Sequence, residues 1–465
     1  MAWAGKIAIV SHVLPPSSSG QAVMLYRLLR DWDPDRYCLI STRDYADPHA
    51  VPPDAVTPRL PCRYHHLPSE NQFRILESPP FRMARMMVRA ARQVRRGLAP
   101  TPTATTAPLS TAQTSVLAPP QPSLLARLAG TCQSVLHGWD QRINLPRRVT
   151  QRARAIEEIA RREGCTAIVA STADLIDLPA SFLAARAVGI AYYSYMFDDY
   201  SSQWVNPEER RFAQAACRQV IQEADGVIVP NEFLARVYRQ TYGIEAVIVR
   251  NSVAEIPPLP PPRVAGQPFR IVFTGTIYEA HFDAFIRLTQ MLTRFAAGEI
   301  EFHIYTASDP AYLAKHGIGA PAILHASVSS MEALSIQRSA DALFLPLAFA
   351  SPYPEIINTS APGKMGEYLA SGRPVLVHAP RESFLSWYCR QHACAAVVDG
   401  PSVDWLHAAT LELIQSPTLG DTLVRNARRR AIEDFHVDNV QRNFQRIFEG
   451  IIPRVQSISP LGLSA

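Results

Sequence analysis

Short β-branched apolar runs alternate with helix-period segments along this chain, break off at a proline cluster near the middle, and then begin again. That rhythm constrains the fold more than any other feature. Lys6–His12 (KIAIVSH) leads through the turn Leu14–Gly20 into a helix-period run over Gln21–Asp31. Further strand-like runs are Tyr37–Ser41, Ala167–Ser171, Ile190–Met196, Gly226–Pro230 and Ala246–Arg250, with helical patterns over Pro146–Arg162, Pro207–Glu223 and Asn231–Tyr242. Buried strands spaced by helices imply a parallel sheet covered on both faces. Ser252–Pro268 then carries IPPLPPPR, which continues neither a helix nor a central strand and stiffens a linker. The rhythm restarts with strand Phe269–Thr274, helix Ala280–Ala296, strand Ile300–Thr306, helix Met331–Arg338, strand Ala342–Leu347, helix Lys364–Ala370 and strand Pro374–His378. The predicted organisation is an α/β protein with one parallel-sheet domain over 1–255 and a second over 256–436. A closing segment, 437–465, holds a helix (Val437–Ile451) expected to return toward the first domain.

Several classes of protein are excluded early. A chain of 465 residues is too long for one core. With 47% hydrophobic and 19% charged residues it does not stay disordered over most of its length. No uninterrupted apolar run is long enough for a spanning helix, and the N-terminal apolar stretch is too brief for a secretion signal. The expectation is a cytoplasmic protein. A net charge of +5 is too mild to argue for nucleic acid. The seven cysteines are scattered, without CxxC spacing, so neither a metal site nor a disulfide framework is expected. Only Lys6, Lys315 and Lys364 are lysines, which singles out each of them.

Two segments stand outside the rhythm. Residues 99–123 are uncharged and dominated by Ala, Pro, Thr and Ser, and are read as a flexible loop within the first domain. Just before it, in residues 81–98, arginines 82, 85, 89, 92 and 96 recur at steps of three and four opposite Met83, Met87, Ala90, Val94 and Leu98. That pattern makes a basic amphipathic helix. It fits either a contact with an anionic membrane surface or a helix docked through its methionine face.

The chemistry concentrates in Pro362–Pro374, PGKMGEYLASGRP. Pro362 and Gly363 precede a helix start, and Gly372 stands where its C-terminal cap belongs. Free N–H groups at such a start attract phosphate. A cation in the first turn opposes the helix dipole, and a bound polyphosphate would explain Lys364 there. Glu367, one turn on, could accept hydrogen bonds from the vicinal hydroxyls of a ribose. A surface lysine beside a favourably placed glutamate is the bland alternative.

The run Ala340–Pro380, ADALFLPLAFASPYPEIINTSAPGKMGEYLASGRPVLVHAP, resembles the donor-site region of family 4-like glycosyltransferases with the GT-B fold. Pro268–Leu288 resembles the strand, glycine loop and helix that open the nucleotide-binding domain. Gly226–Val253 resembles the end of the acceptor domain, and Ala427–Phe448 the closing helices. The resemblance implies two Rossmann-like domains facing across a cleft. A nucleotide-diphosphate-sugar would bind the second as co-substrate, and a glycan or lipid-linked acceptor the first. It further implies a hexosyltransferase that is metal-independent, needs no cofactor and retains anomeric configuration, at work in surface polysaccharide or glycolipid assembly. Glu367 matches the ribose-holding glutamate and Gly275 the glycine that approaches the diphosphate. Lys364 becomes a neighbour of the diphosphate, with Thr276, Glu355, Thr359, Ser360 and Gly363 completing the donor-side set. Gly20 matches the glycine that lets the domains approach.

Two departures from the family pattern are visible. The glutamate that many members place eight residues before the ribose glutamate is here Thr359, with Glu355 the nearest upstream acid. The loop after the second-domain glycine, TIYEAH, lacks the usual Arg and Lys, which leaves Lys364, His281 and helix N–H groups to meet the phosphates. On the acceptor side Asp198 and Asp199 follow a strand at the edge where open α/β sheets place ligands, and a carboxylate there could orient or deprotonate a hydroxyl. His12 follows the first strand, and Asp174 is a weaker candidate. A turn or capping role is the alternative for each. The departures also keep open a degenerate GT-B scaffold, or an epimerase or hydrolase on the same fold.

Overall fold

The computed structural model describes residues 5–45, 47, 57–70, 124–264 and 266–449, with the side chains of 124–141 left aside. The basic segment 81–98, the loop 99–123 and the tail 450–465 lie outside the described residues. The chain divides into a main unit, residues 1–69 with 152–465, and a smaller one over Glu70–Gln151. In the smaller unit Arg148 pairs with Glu70 at 3.4 Å. The helix signal at Pro146 lies inside a longer helix, Leu124–Arg162, and does not start it.

In the main unit two wholly parallel sheets are built from the two halves of the sequence. The first contains β1 (Ile7–Val10), β2 (Tyr37–Ser41), β3 (Arg63–His66), β4 (Ala167–Ser171), β5 (Ala191–Tyr195), β6 (Gly226–Val229) and β7 (Ala246–Ile248), in the order 3-2-1-4-5-6-7. The second contains β8 (Phe269–Thr274), β9 (Ile300–Thr306), β10 (Ile323–Ala326), β11 (Ala342–Pro346), β12 (Val375–His378) and β13 (Ala396–Val398), in the order 10-9-8-11-12-13. Strands β1, β2, β4 and β11 are buried at every position, as expected where helices cover both faces. Each sheet reverses its strand order once, between β1 and β4 and between β8 and β11. Crevices open at such switch points beyond the carboxyl ends of the strands. The loops carrying His12 and Gly20 on one side, and Gly275 and Lys364 on the other, lie there.

The proline linker is held by a matched set of donors. Proline supplies a carbonyl and no N–H, so this stretch is rich in acceptors. Arg428 donates to the Pro257 carbonyl at 2.6 Å, Arg338 to Pro258 at 2.7 Å and Arg373 to Pro261 at 3.0 Å.

The last described helix, Val437–Phe448, packs into the core of the first domain. Val440, Phe444, Ile447 and Phe448 sit one and two turns apart and join that core. Trp32 lies 5.7 Å from Phe444 and Tyr193 5.1 Å from Phe448, ring centre to ring centre. Gln441 donates to the Arg27 carbonyl at 2.7 Å and to Asp31 at 3.0 Å, fixing the end of helix Gly20–Leu29. Outgoing and returning chains touch where Val253 bridges His436. Beside that crossing Arg250 pairs with Glu232 and faces the rings of Tyr388, Phe435 and Phe384 at 5.3, 5.7 and 5.8 Å.

Candidate active site

Strand β8 ends at Thr274, whose N–H donates to the Tyr368 hydroxyl at 3.0 Å while its own hydroxyl accepts from Gln337 at 3.0 Å. Gly275 follows with φ +128°, a backbone state that disfavours side chains. Its N–H is already spent on the Tyr305 carbonyl at 2.8 Å. What the glycine contributes is therefore room. A Cβ built there would lie 2.2 Å from Lys364 Cε and 2.7 Å from Nζ. The lysine side chain occupies the space that a larger residue would need.

Lys364 stands just before the short helix Met365–Ala370, where it makes no side-chain cap bond. Its ammonium lies 5.0 Å from the centre of the Phe273 ring. Among the described residues no carboxylate stands within ion-pair distance of it. Loss of hydration pushes its pKa down to about 8, with the charge of Glu367 acting in the opposite direction. His281 lies in the same corner, buried, at the start of helix Phe282–Leu292. Burial, and secondarily the charge of Lys364, push its pKa down to about 3, so the ring is neutral at ordinary pH. Its Nδ1 is buried without a hydrogen-bond partner among the described residues. An unpaired cation beside an unpaired ring nitrogen is costly unless something polar completes the corner.

Glu367 is held from the other domain. Arg27, in helix Gly20–Leu29, donates to its Oε1 at 2.7 Å and also donates to the Ser252 carbonyl. Both side chains of the pair keep about a fifth to a quarter of their surface exposed, at 20% and 25%. The loop between β11 and Lys364 is tied across in the same way. Asn231 donates to the Thr359 carbonyl at 2.7 Å and Asn251 to that of Ala361 at 3.1 Å. Glu355 is turned toward Arg210 of the first domain at 3.6 Å, and the Thr359 hydroxyl donates back to the Glu355 carbonyl at 2.9 Å. Ser360 is half-buried, whereas Gly363 and Thr276 are exposed.

On the first domain the two adjacent aspartates have different surroundings. Asp199 is buried, and its carboxylate accepts from Ser201 Oγ at 2.9 Å and from the Tyr238 hydroxyl at 3.2 Å. It fastens a turn. Asp198 is exposed at the end of β5. Its charge reaches Tyr278, whose hydroxyl is pushed up to about 12 by desolvation first and by Asp198 second. Loss of hydration, and secondarily the charge of Asp199, raise the Asp198 pKa, and its effect on Tyr278 puts the loop after β5 near the loop after β8. His12 Nδ1 lies 2.7 Å from the Thr42 hydroxyl, and Arg43 Nε donates to its Nε2 at 3.1 Å. Burial and the Arg43 charge lower its pKa. Asp174 is held at 2.5 Å by Arg152, which also reaches buried Asp177 at 2.7 Å. Gly20 has open space where a Cβ would stand.

The structure thus gathers Gly275, Lys364, His281 and Glu367 at one end of the second sheet, with Asp198 linked to that side through Tyr278. Arg27, Arg210 and Tyr278 did not stand out in the sequence. Arg27 is one of the chain's 43 arginines and sits in a regular helix, and only the packing of two distant segments brings it to Glu367.

No family model matches the chain, and no curated protein matches it. Solved structures do. Sucrose-phosphate synthase from Thermosynechococcus elongatus superposes with a TM-score of 0.59 at 13% identity, covering 96% of this chain and 98% of that one. The Anabaena protein HepE in complex with UDP-glucose gives 0.57 at 11%, covering 96% and 100%. The lipopolysaccharide outer core galactosyltransferase WaaB, without ligand, gives 0.55 at 12%, covering 96% and 99%. At these identities the likeness is one of fold. With its two parallel α/β sheets, this chain has the GT-B fold of these glycosyltransferases.

Proposed function

We propose that this protein transfers a sugar from a nucleotide-diphosphate-sugar to a hydroxyl of a glycan or lipid-linked acceptor. The observation that carries the proposal is the ammonium of Lys364, unpaired and partly dehydrated, lying on a glycine at the carboxyl end of the second sheet's first strand. An anion is what such a site lacks. The diphosphate docks there, beside the neutral ring of His281, and Glu367 takes a ribose hydroxyl with the oxygen that Arg27 leaves free. Asp198, exposed on the facing domain, orients the acceptor hydroxyl. As its oxygen bonds to the anomeric carbon, that carbon's bond to the diphosphate breaks, the hydroxyl's proton passes to the departing diphosphate oxygen, and Lys364 stabilises the charge that remains. No metal enters this scheme, and retention of configuration follows the family resemblance.

A solved GT-B neighbour holding UDP-glucose supports the donor class, and one named as a lipopolysaccharide galactosyltransferase supports the acceptor class. Among the described residues no helix is long and apolar enough to cross a membrane. Contact with an anionic membrane surface is proposed through the arginine-rich segment 81–98, and flotation with anionic vesicles tests it. The central test is isothermal titration with UDP, GDP and ADP, followed by a donor screen read by mass spectrometry. One nucleotide is expected to bind, and Glu367→Ala to weaken it by roughly 1–3 kcal/mol. A scaffold that had lost its donor site should bind none of the three.

A further inference from the structure

A basic cavity lies at the opposite end of the second sheet from Lys364. Its volume is about 610 Å³, and it is walled by the linker prolines 260–262 together with Arg263, Arg270, Arg338 and Arg373. Arg270 is five residues before Gly275 on the same strand, about 16 Å at the usual strand rise. This cavity is therefore separate from the Lys364 corner. We propose that it binds a small anion bearing a phosphate group.

The walls carry more N–H donors than acceptors. Four guanidinium groups share the walls with two carboxylates, Glu301 and Asp341. Both carboxylates are already engaged. Asp341 Oδ2 accepts from the Arg270 N–H at 2.8 Å and pairs with Arg263 Nε at 3.4 Å, while Glu301 lies 2.9 Å from the His303 ring. Each guanidinium offers five N–H groups, yet one or two nitrogens of each find an acceptor. Arg338 donates to Pro258, and Arg373 to the carbonyls of Arg338 and Pro261. Arg263 donates to the Gln267 carbonyl, and Arg270 reaches Tyr305 and Ser339. Arg270 Nε is buried with no partner among the described residues.

Holding the linker accounts for some of these contacts. It does not account for Arg373 being drawn in beside Arg338, with its Nε donating to the Arg338 carbonyl at 2.8 Å, where burial lowers its pKa. A planar fork of N–H groups matches phosphate oxygens, and a phosphate dianion offsets the surplus of two positive charges. Because Arg338 and Arg373 also grip the linker between the sheets, an occupant would bear on the same residues that fix it.

Calorimetric titration of the full chain with inorganic pyrophosphate tests the proposal. In a Lys364→Ala background, which removes the donor-side cation, a binding event is expected to persist, and adding Arg270→Gln is expected to weaken it roughly tenfold. Arg263→Gln, on the exposed linker, is the second variant should Arg270→Gln fail to fold, and a severalfold loss is expected. Inorganic phosphate and glucose 1-phosphate as further arms separate a free anion from a sugar phosphate. The proposal is overturned if Lys364→Ala binds none of the three, or if its residual binding ignores a folded Arg270→Gln or Arg263→Gln. Loss of nucleotide binding alone in Lys364→Ala bears on the donor site and leaves this cavity standing.

Discussion

Replacing Lys364 by methionine should make the protein more stable and a poorer binder of nucleotide. The lysine falls from its ordinary 10.5 to about 8 in the folded chain. A drop of that size means that folding disfavours the charged form by about 3 kcal/mol. Part of the side chain still meets solvent, so screening reduces the usable figure to roughly 1–2 kcal/mol. The sign follows from linkage. Below pH 8 the lysine is charged in both states and the folded state bears the full cost. Between pH 8 and 10.5 the folded state sheds its proton first, and the cost fades as pH rises through that window. Methionine keeps the length and the contact with Phe273 without the charge. Urea denaturation of both proteins from pH 7 to 10.5 should show Lys364→Met ahead by about 1–2 kcal/mol at pH 7, with the difference shrinking toward pH 10.5. Titration at pH 7 should show nucleotide affinity down about tenfold or more. A gap that did not change with pH, or a variant less stable at pH 7, would refute the claim that an unsatisfied cation waits there for an anion.

Gly275→Ala places a methyl where Lys364 Cε now lies and forces a side chain into φ +128°. A loss of about 1–3 kcal/mol in stability is expected, together with weakened nucleotide binding, both read by denaturation and calorimetry. Arg27→Ala frees Glu367 from its partner. Nucleotide affinity should fall about three- to tenfold while stability changes by less than about 1 kcal/mol, since the pair is partly exposed; unchanged affinity would remove Arg27 from the site. Glu355→Gln should leave affinity within about twofold of the original, because the carboxylate is 45% exposed and turned toward Arg210. A tenfold loss would show that it reaches the donor.

The sheets were legible because most of their strands are buried on both faces, and such strands announce themselves as unbroken apolar runs. The strands that escaped notice lie at the edges. Arg63–His66 reads RYHH and Ile323–Ala326 reads ILHA, and neither has to be apolar when only one flank is paired, whereas Ala396–Val398 is apolar but only three residues long. Helix Asp177–Val188 was hidden for a different reason: eight of its twelve residues are buried and Leu183 is exposed, so its apolar residues show little one-sided periodicity. Asp198 and Asp199 could not be told apart in sequence, since both follow the same strand. Their difference rests on Ser201 and on Tyr238, a residue 39 positions away.

The same contrast between sequence position and place in space governs the phosphate ligands. Judged by position, the loop after Gly275 lacks the expected Arg and Lys, and a motif count would conclude that the donor site is impaired. Electrostatics depends on where charge stands. Lys364, 89 residues further along, lays its ammonium on the glycine itself, in volume that exists because that residue has no side chain. The lysine does not duplicate a second phosphate ligand, and a neutral His281 does not replace one. On the proposed reading, a donor site to which the described residues bring Lys364 alone should bind more weakly than one with two cations, and depend more steeply on the protonation of that one group. Above pH 8, nucleotide binding must return the lysine's proton, so uptake should approach one proton per nucleotide between pH 8 and 10. Titrations in buffers of different ionisation enthalpy measure that uptake directly, and a value of zero at pH 9 would place the diphosphate away from Lys364.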